Sequence, residues 1–204
     1  MDSFLGLIQN QLRKNTAHPA IIYHDEKITF GQLEVRIGKV AAFLQHKGLK
    51  KGERVALCTH EKLNFLILHL GIIFAGGVSV PLNFNSTEDE LTYFLNDSGA
   101  RFIFTSLREI SLVKKIKKQC LQLEDTLEYE QIERADSRKK LNSVNAQASD
   151  YCFILYSSGT TGRPKGIVHT HQNVAASLLS LQKCWRFSSS DILLNVLPLY
   201  HLHG

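Results

Sequence analysis

A mostly parallel α/β sheet with helices on both faces is predicted for this chain of 204 residues. Two observations carry that expectation. Short apolar runs alternate with longer segments whose apolar residues recur at helical spacing. Alternation at these lengths gives parallel strands joined by crossover helices. No repeat of about 20 to 50 residues, the mark of a solenoid, competes with it.

In chain order, Ala20–Tyr23 and Ile28–Phe30 flank the polar tetrapeptide His24-Asp25-Glu26-Lys27, a hairpin pattern. Thr29 and Gln32 then have the spacing of a capping box. Leu33, Ile37, Val40, Ala41 and Leu44 follow on one helical face, and Gly48 is placed to end that helix. Val55–Cys58 reads as a buried strand, about 63–75 as a helix, and Val78–Pro81 as the next strand. Thr87 with Glu90 opens a further helix with Leu91, Phe94 and Leu95 inside, closed by Ser98-Gly99. Phe102–Phe104 is another strand, and a further strand signal lies near Leu121.

From Glu124 to Ala148 the pattern dissolves into acidic residues, then Arg138-Lys139-Lys140 and a polar Asn/Ser/Gln stretch. Order returns with Tyr151–Tyr156, a continuous apolar run that fits a buried strand. Three segments are therefore expected: helix–strand alternation over 1–123, an irregular loop or linker over 124–148, and 149–204 beginning on that strand.

Composition narrows the function classes. Hydrophobic residues at 44% and charged residues at 21% are those of a globular chain, which excludes a disordered tail. The net charge of +5 gathers at Lys47/Lys50/Lys51/Arg54, Lys114/Lys115/Lys117/Lys118 and Arg134/Arg138/Lys139/Lys140. None of these clusters interleaves aromatics for base stacking, so no nucleic-acid partner is expected. Cys58, Cys120, Cys152 and Cys184 form no C-x-x-C pair and read as small buried hydrophobes in a reducing, cytoplasmic setting. The richest apolar stretch, Phe65 to Val80, is broken by His69 and Gly76-Gly77 and falls short of the roughly 20 residues of a membrane span. His169/His171 and His201/His203 each make an H-x-H pair without a third ligand at metal spacing, so no metal site is expected.

The chemistry-bearing segment follows the last strand. Ser157-Ser158-Gly159-Thr160-Thr161-Gly162-Arg163-Pro164-Lys165-Gly166 holds three glycines, four hydroxyls and two cations within ten residues. Glycines let backbone N–H groups approach an anion closely, hydroxyls add donors, and Lys and Arg supply charge. Together they suit phosphate oxygens at the end of a sheet strand. It is not the P-loop of NTPases, which needs Gly before the Lys and Ser/Thr after it; here Lys165 lies between Pro164 and Gly166.

With Tyr156 in front, this stretch resembles the phosphate-binding signature of the AMP-forming adenylating enzymes, which include acyl-CoA synthetases, beetle luciferases and amino-acid adenylation domains. Thr29-Phe30-Gly31-Gln32-Leu33, Gly71 to Asn83 and Asp97-Ser98-Gly99-Ala100 are similar too, so the resemblance thins only after about Glu124. It implies the N-terminal part of the large domain of an adenylate-forming enzyme. It also implies that a carboxylate attacks the α-phosphorus of ATP, with Mg2+, and that the thiol of CoA then takes the acyl group. Ser157, Ser158, Gly159, Thr160, Thr161, Gly162, Lys165 and Gly166 would meet the triphosphate, Lys165 as a catalytic group.

Leu197-Pro198-Leu199-Tyr200-His201-Leu202-His203-Gly204 resembles the aromatic-His loop beside the acyl pocket. The resemblance puts Tyr200, His201, His203 and Gly204 in that loop, with His201 near the substrate carboxylate. Amino-acid adenylation domains carry an acidic residue there; Pro198 to Gly204 has none, which favours a plain or dicarboxylic acid, as in fatty acyl- or malonyl-CoA synthetases. Such enzymes are more than twice this length, so the chain is expected to be an N-terminal fragment, inactive without the missing C-terminal part. A nucleotide-phosphate binding module acting with another chain, and luciferase-like oxidation of an adenylate, are the alternatives.

Overall fold

The computed structural model describes residues 3–135, 141–157 and 163–201. Helix α1 (Phe4–Lys14) precedes the hairpin of β1 (Pro19–Tyr23) and β2 (Glu26–Thr29). Then come α2 (Phe30–His46), β3 (Arg54–Cys58), α3 (Lys62–Phe74), β4 (Val78–Pro81), α4 (Glu88–Ser98), β5 (Phe102–Thr105) and α5 (Ile110–Ile116). A 3₁₀ turn at Lys117–Gln119 leads to β6 (Asp125–Leu127) and α6 (Tyr129–Arg134). The chain continues through β7 (Tyr151–Ser157), β8 (Lys165–Thr170) and α7 (His171–Trp185).

The larger sheet has the order β6-β5-β3-β4-β7-β8, parallel throughout except for the antiparallel pair β7–β8. Alternate residues of the central strands feed two cores, because side chains of a strand point to opposite faces. Val55, Leu57, Phe102 and Phe104 join α1, α2 and α3 on one face; Ala56, Cys58, Val80 and Ile103 join α4 and α5 on the other. This is the expected sheet with helices on both faces.

Local signals agree with the expected boundaries where polar groups must be satisfied. Thr29 and Thr87 each accept from the N–H three residues on, and Gln32 and Glu90 bond back to the cap N–H. Gly99 closes α4 in the left-handed region at φ 60°, a conformation cheap only without a Cβ. Gly71 lets α3 lie against α2: a Cβ there would stand 2.4 Å from the Val40 side chain.

Several expectations need correction. The 124–148 stretch is not irregular throughout, since it contains β6 and α6, with Leu127 and Ile132 buried in the first core. The strand expected near Leu121 begins instead at Asp125; Leu121 is exposed in a turn. Strand β6 is only Asp-Thr-Leu and owes its form to pairing with β5, a tertiary cause that no local run announces. Residues 136–140, with their basic cluster, lie outside the described residues. The hairpin is tighter than expected, Phe30 opening α2 rather than ending a strand, with His24 at φ 52° in the turn. Cys184 is exposed on α7 rather than buried.

Parts of the basic clusters serve internal contacts. Lys47 pairs with Asp125 at 2.8 Å, Lys51 with Asp150 at 2.7 Å, and Arg54 donates to the carbonyls of Ser98 and Gly99. Among the described residues no helix is long and apolar enough to cross a membrane.

Candidate active site

The Gly/Thr-rich stretch connects two antiparallel strands. β7 and β8 pair with Ser157 opposite Lys165 and Tyr156 opposite Gly166. A strand–loop–strand path separates this loop from the NTPase P-loop, whose Lys opens a helix. Gly166 makes the crossing close: a Cβ there would lie 3.1 Å from Ile154 Cγ2 and 3.3 Å from Tyr156 Cζ. Lys165 is exposed at the start of β8. Ser158, Gly159, Thr160, Thr161 and Gly162 lie outside the described residues, as do His203 and Gly204.

Both stems of the loop are tied to one helix. On the incoming side the Tyr156 hydroxyl donates to Asp97 Oδ2 at 2.7 Å, and its ring lies 4.5 Å from that of Phe94. Burial first, then the Asp97 bond and charge, pushes the Tyr156 phenol well above its ordinary value, so it stays a donor. On the outgoing side the Tyr93 hydroxyl donates to the Pro164 carbonyl at 2.8 Å, and the Arg163 guanidinium stands 5.6 Å over the Tyr93 ring. Tyr93 and Asp97 are four apart and so share a face of α4.

The aromatic-His loop reaches the same edge of the sheet by another route. Leu199 and Tyr200 pack against the first core, and His201 is exposed with its N–H donating to the Pro198 carbonyl at 3.2 Å. The Tyr200 ring meets Phe84 edge-on, 6.1 Å away at 86°, and lies 4.5 Å from the His201 ring. Phe84 follows β4, and β4 runs parallel to β7. Ser157, Lys165 and the Tyr200–His201 pair therefore all stand at the carboxyl edge of the parallel strands, where open α/β sheets bind ligands.

His169 and His171 have packing roles. The His169 ring stacks 4.7 Å from Phe153, and buried His171 Nδ1 accepts the Leu5 N–H at 3.4 Å, fastening α1. Burial pushes both imidazoles down.

The anchors leave little trace in the sequence. Asp97 stands out only as one residue of the Asp97-Ser98-Gly99-Ala100 stretch, and Tyr93 carries no signal beyond its i, i+4 relation to it. Phe84, which follows β4 and meets the Tyr200 ring, carries none.

A family model described as AMP-binding enzyme matches residues 8–204. The chain belongs to that family. Within it, the chain is 33% identical to bacitracin synthase 2 of Bacillus licheniformis over 93% of its own length and 7% of that protein. It is 30% identical to the oxalate–CoA ligase of Arabidopsis thaliana over its whole length, which is 42% of that enzyme. Among solved structures, ATP-bound MatB from Rhodopseudomonas palustris superimposes with a TM-score of 0.84 at 31% identity, covering all of this chain and 42% of that one. The chain thus spans less than half the length of these relatives. The family's members here include CoA ligases and synthetases that are not named as such.

Proposed function

We propose that this chain carries the phosphate loop and the acid-binding loop of an AMP-forming acid–thiol ligase working on a plain or dicarboxylic acid. The observation that carries this reading is the double anchoring of the Ser157–Lys165 connection on α4, at the sheet edge that also presents Tyr200 and His201. Anchoring both stems fixes where the connection leaves and re-enters the sheet, and positioned donors are what stabilising charge on a reacting phosphate requires.

In the first step a carboxylate oxygen attacks the α-phosphorus of ATP. The bond from that phosphorus to the bridging oxygen of the β-phosphate breaks, and pyrophosphate leaves with the electron pair. Ser157, Lys165 and the hydroxyls and N–H groups of 158–162 receive the phosphate charge, and Gly166 keeps the crossing strands close. The His201 imidazole donates to the carboxylate and offsets the repulsion between two anions, beside Tyr200, His203 and Gly204 in the same loop. In the second step the sulfur of CoA attacks the acyl carbonyl, loses its proton and expels AMP. Mg2+ arriving with ATP would supply further positive charge to the phosphates; among the described residues no three His, Cys, Asp or Glu side chains gather as a metal site.

The reading includes further polypeptide. Twelve of the eighteen exposed large apolar side chains among the described residues fall between Ile167 and Leu197, on β8, α7 and the stretch after it. β8 is also a sheet edge. Surface of that kind is normally covered. We take its occupant to be the remainder of the adenylating domain, which the longer relatives possess; the chain alone is then inactive. A cytoplasmic setting belongs to the same reading, with four free cysteines.

Pyrophosphate release with a panel of carboxylic acids tests this in two preparations, the chain alone and the chain joined to the missing region. Release only in the second is the expected result. Turnover by the chain alone would sink the fragment reading, whereas ATP binding without any acid-dependent release would favour a phosphate-binding module. In the active form Lys165→Ala is expected to slow adenylate formation roughly 30- to 150-fold, the equivalent of about 2 to 3 kcal/mol for one charge-assisted contact.

A further inference from the structure

A second polar cluster sits at the carboxyl edge, where the sheet's connections part. β3 and β5 are parallel neighbours, with Cys58 opposite Thr105. The chain leaves β3 into α3 on one face and leaves β5 into α5 on the other. Such a parting opens a crevice between the two strand ends. His60 enters it from β3; Ser106 and Glu109 enter from β5.

Glu109 is buried, with 5% of its surface exposed, and is partnered on both oxygens. Oε1 lies 2.9 Å from His60 Nδ1, and Oε2 accepts from the Ser106 hydroxyl. The other nitrogen of His60, Nε2, stands 3.1 Å from Glu61 Oε1. The ring is thus held from both sides. The buried Cys58 thiol next to the cluster is pushed up to about 12, by burial first and then by the Glu109 charge.

The face of this clamp turned toward the candidate site is aromatic. His60 meets Phe84 edge-on at 6.2 Å, Phe84 meets Tyr200 edge-on at 6.1 Å, and Tyr200 lies 4.5 Å from His201. The turn that presents Phe84 is internally fixed: Asn83 Oδ1 accepts the Asn85 N–H at 2.9 Å, and the Asn83 carbonyl accepts the Ser86 N–H at 3.0 Å. A rigid ring held by a buried carboxylate therefore supports, through one intermediate ring, the loop that carries His201.

We infer that His60, clamped by Glu109 and Ser106, is a positioning residue for the acid substrate: through Phe84 it sets where Tyr200 and His201 stand. This rests on the proposed acid-activating function. It adds that affinity for the acid, and not for ATP, depends on residues at the β3/β5 fork.

The test has an arm that needs no activity. With fluorotyrosine incorporated, the Tyr200 resonance (assigned by its loss in Tyr200→Phe) is expected to move in His60→Gln and in Phe84→Leu, while the Tyr156 resonance stays put. Phe84→Tyr, which keeps the ring, should restore the Tyr200 position. In the active, extended protein, His60→Gln and Phe84→Leu should each raise the KM for the acid by about fivefold to tenfold, as the loss of one ring contact predicts, with the KM for ATP changed less than twofold. An unmoved Tyr200 resonance in a folded Phe84→Leu protein overturns the inference, as does an equal rise in both KM values. Absence of acid-dependent turnover in the wild-type extended protein defeats the proposed function instead, and the resonance arm still reports on the positioning contact.

Discussion

The two halves of the sheet treat apolar side chains in opposite ways. In β3, β4 and β5 every residue except Arg54 is buried, and each strand is covered by helices on both faces. In β8, α7 and the stretch after it, Ile167, Leu178, Trp185, Ile192, Leu193 and Leu194 face outward. The first half is closed, with a core on each face of the sheet; the second carries apolar side chains that the described residues leave exposed. The loops proposed for chemistry join the two, since β7 touches the closed half through β4 and the open half through β8. Loops at such a seam are backed by packed strands on one side and by exposed apolar surface on the other.

The sharpest way to break this contrast is to damage the closed half. Phe104 is fully buried in the first core, in contact with Phe43 at 6.5 Å between ring centroids. Phe104→Ala should cost about 3 to 5 kcal/mol in denaturant unfolding, through lost transfer energy and the cavity left behind. A loss under about 1 kcal/mol would mean that this half is not the closed core its burial describes.

Acid probes the seam. His69 on α3 bonds Ser79 of β4 through Nδ1 at 2.8 Å and lies 5.7 Å from Phe153, which stacks on His169. Burial pulls the His69 imidazole down to about 4. The unfolded chain takes up that proton near pH 6.5 and the folded chain near 4, so the contribution to stability is complete above about 6.5. It is lost as pH falls from there through 4, by up to about 3 kcal/mol. His169 and His171, also lowered, act in the same direction. Hydrogen exchange should therefore show β7 and β8 amides losing protection between pH 6 and 4 before those of β3 and β5. Uniform loss across all strands would contradict a seam.

These regions also differ in how much the sequence announces. Continuous apolar runs, capping-box pairs and a closing glycine are local, and in the closed half they located β3, β4, β5, α2 and α4 within a residue or two. Helix α7 has no place in the sequence expectation although Val174, Leu178, Leu181 and Trp185 recur at helical spacing; within the described residues only His171 and Ala175 of it are buried. Strand β6 lies beyond the signal near Leu121 because its form depends on pairing with β5. At the site, the hydroxyl- and glycine-rich composition was legible, whereas Tyr93, Phe84 and Asp97 act through contacts distant in sequence, which no spacing rule reveals.

Caps offer a finer comparison. Thr87 caps α4 with a reciprocal bond from Glu90, and α4 anchors both stems of the β7–β8 connection. Thr170 caps α7 by accepting the Asn173 N–H while its hydroxyl donates to Asn173 Oδ1 at 2.9 Å, without the capping box that closes on the cap N–H of α4. Thr87→Ala should cost about 1 kcal/mol or slightly more, and Thr170→Ala about 0.5 to 1 kcal/mol. Equal losses in thermal unfolding would remove this distinction between the halves.

The smallest expected effect bears most directly on the open half. Ile192, Leu193, Leu194 and Val196 are 72–84% exposed, so truncating them removes almost no contact from the folded chain. Ile192→Ser with Leu194→Ser should leave unfolding within about 0.5 kcal/mol of the wild type, as surface changes do. The same pair should reduce self-association at high concentration, measured by sedimentation, because it dilutes an uncovered apolar patch. In the extended protein the direction reverses: if the remaining polypeptide covers this stretch, two buried truncations to a polar residue should destabilise by several kcal/mol. A double mutant that is neutral in both forms would leave the apolar stretch without a covering partner, and the contrast between the halves would then reflect nothing more than an irregular surface.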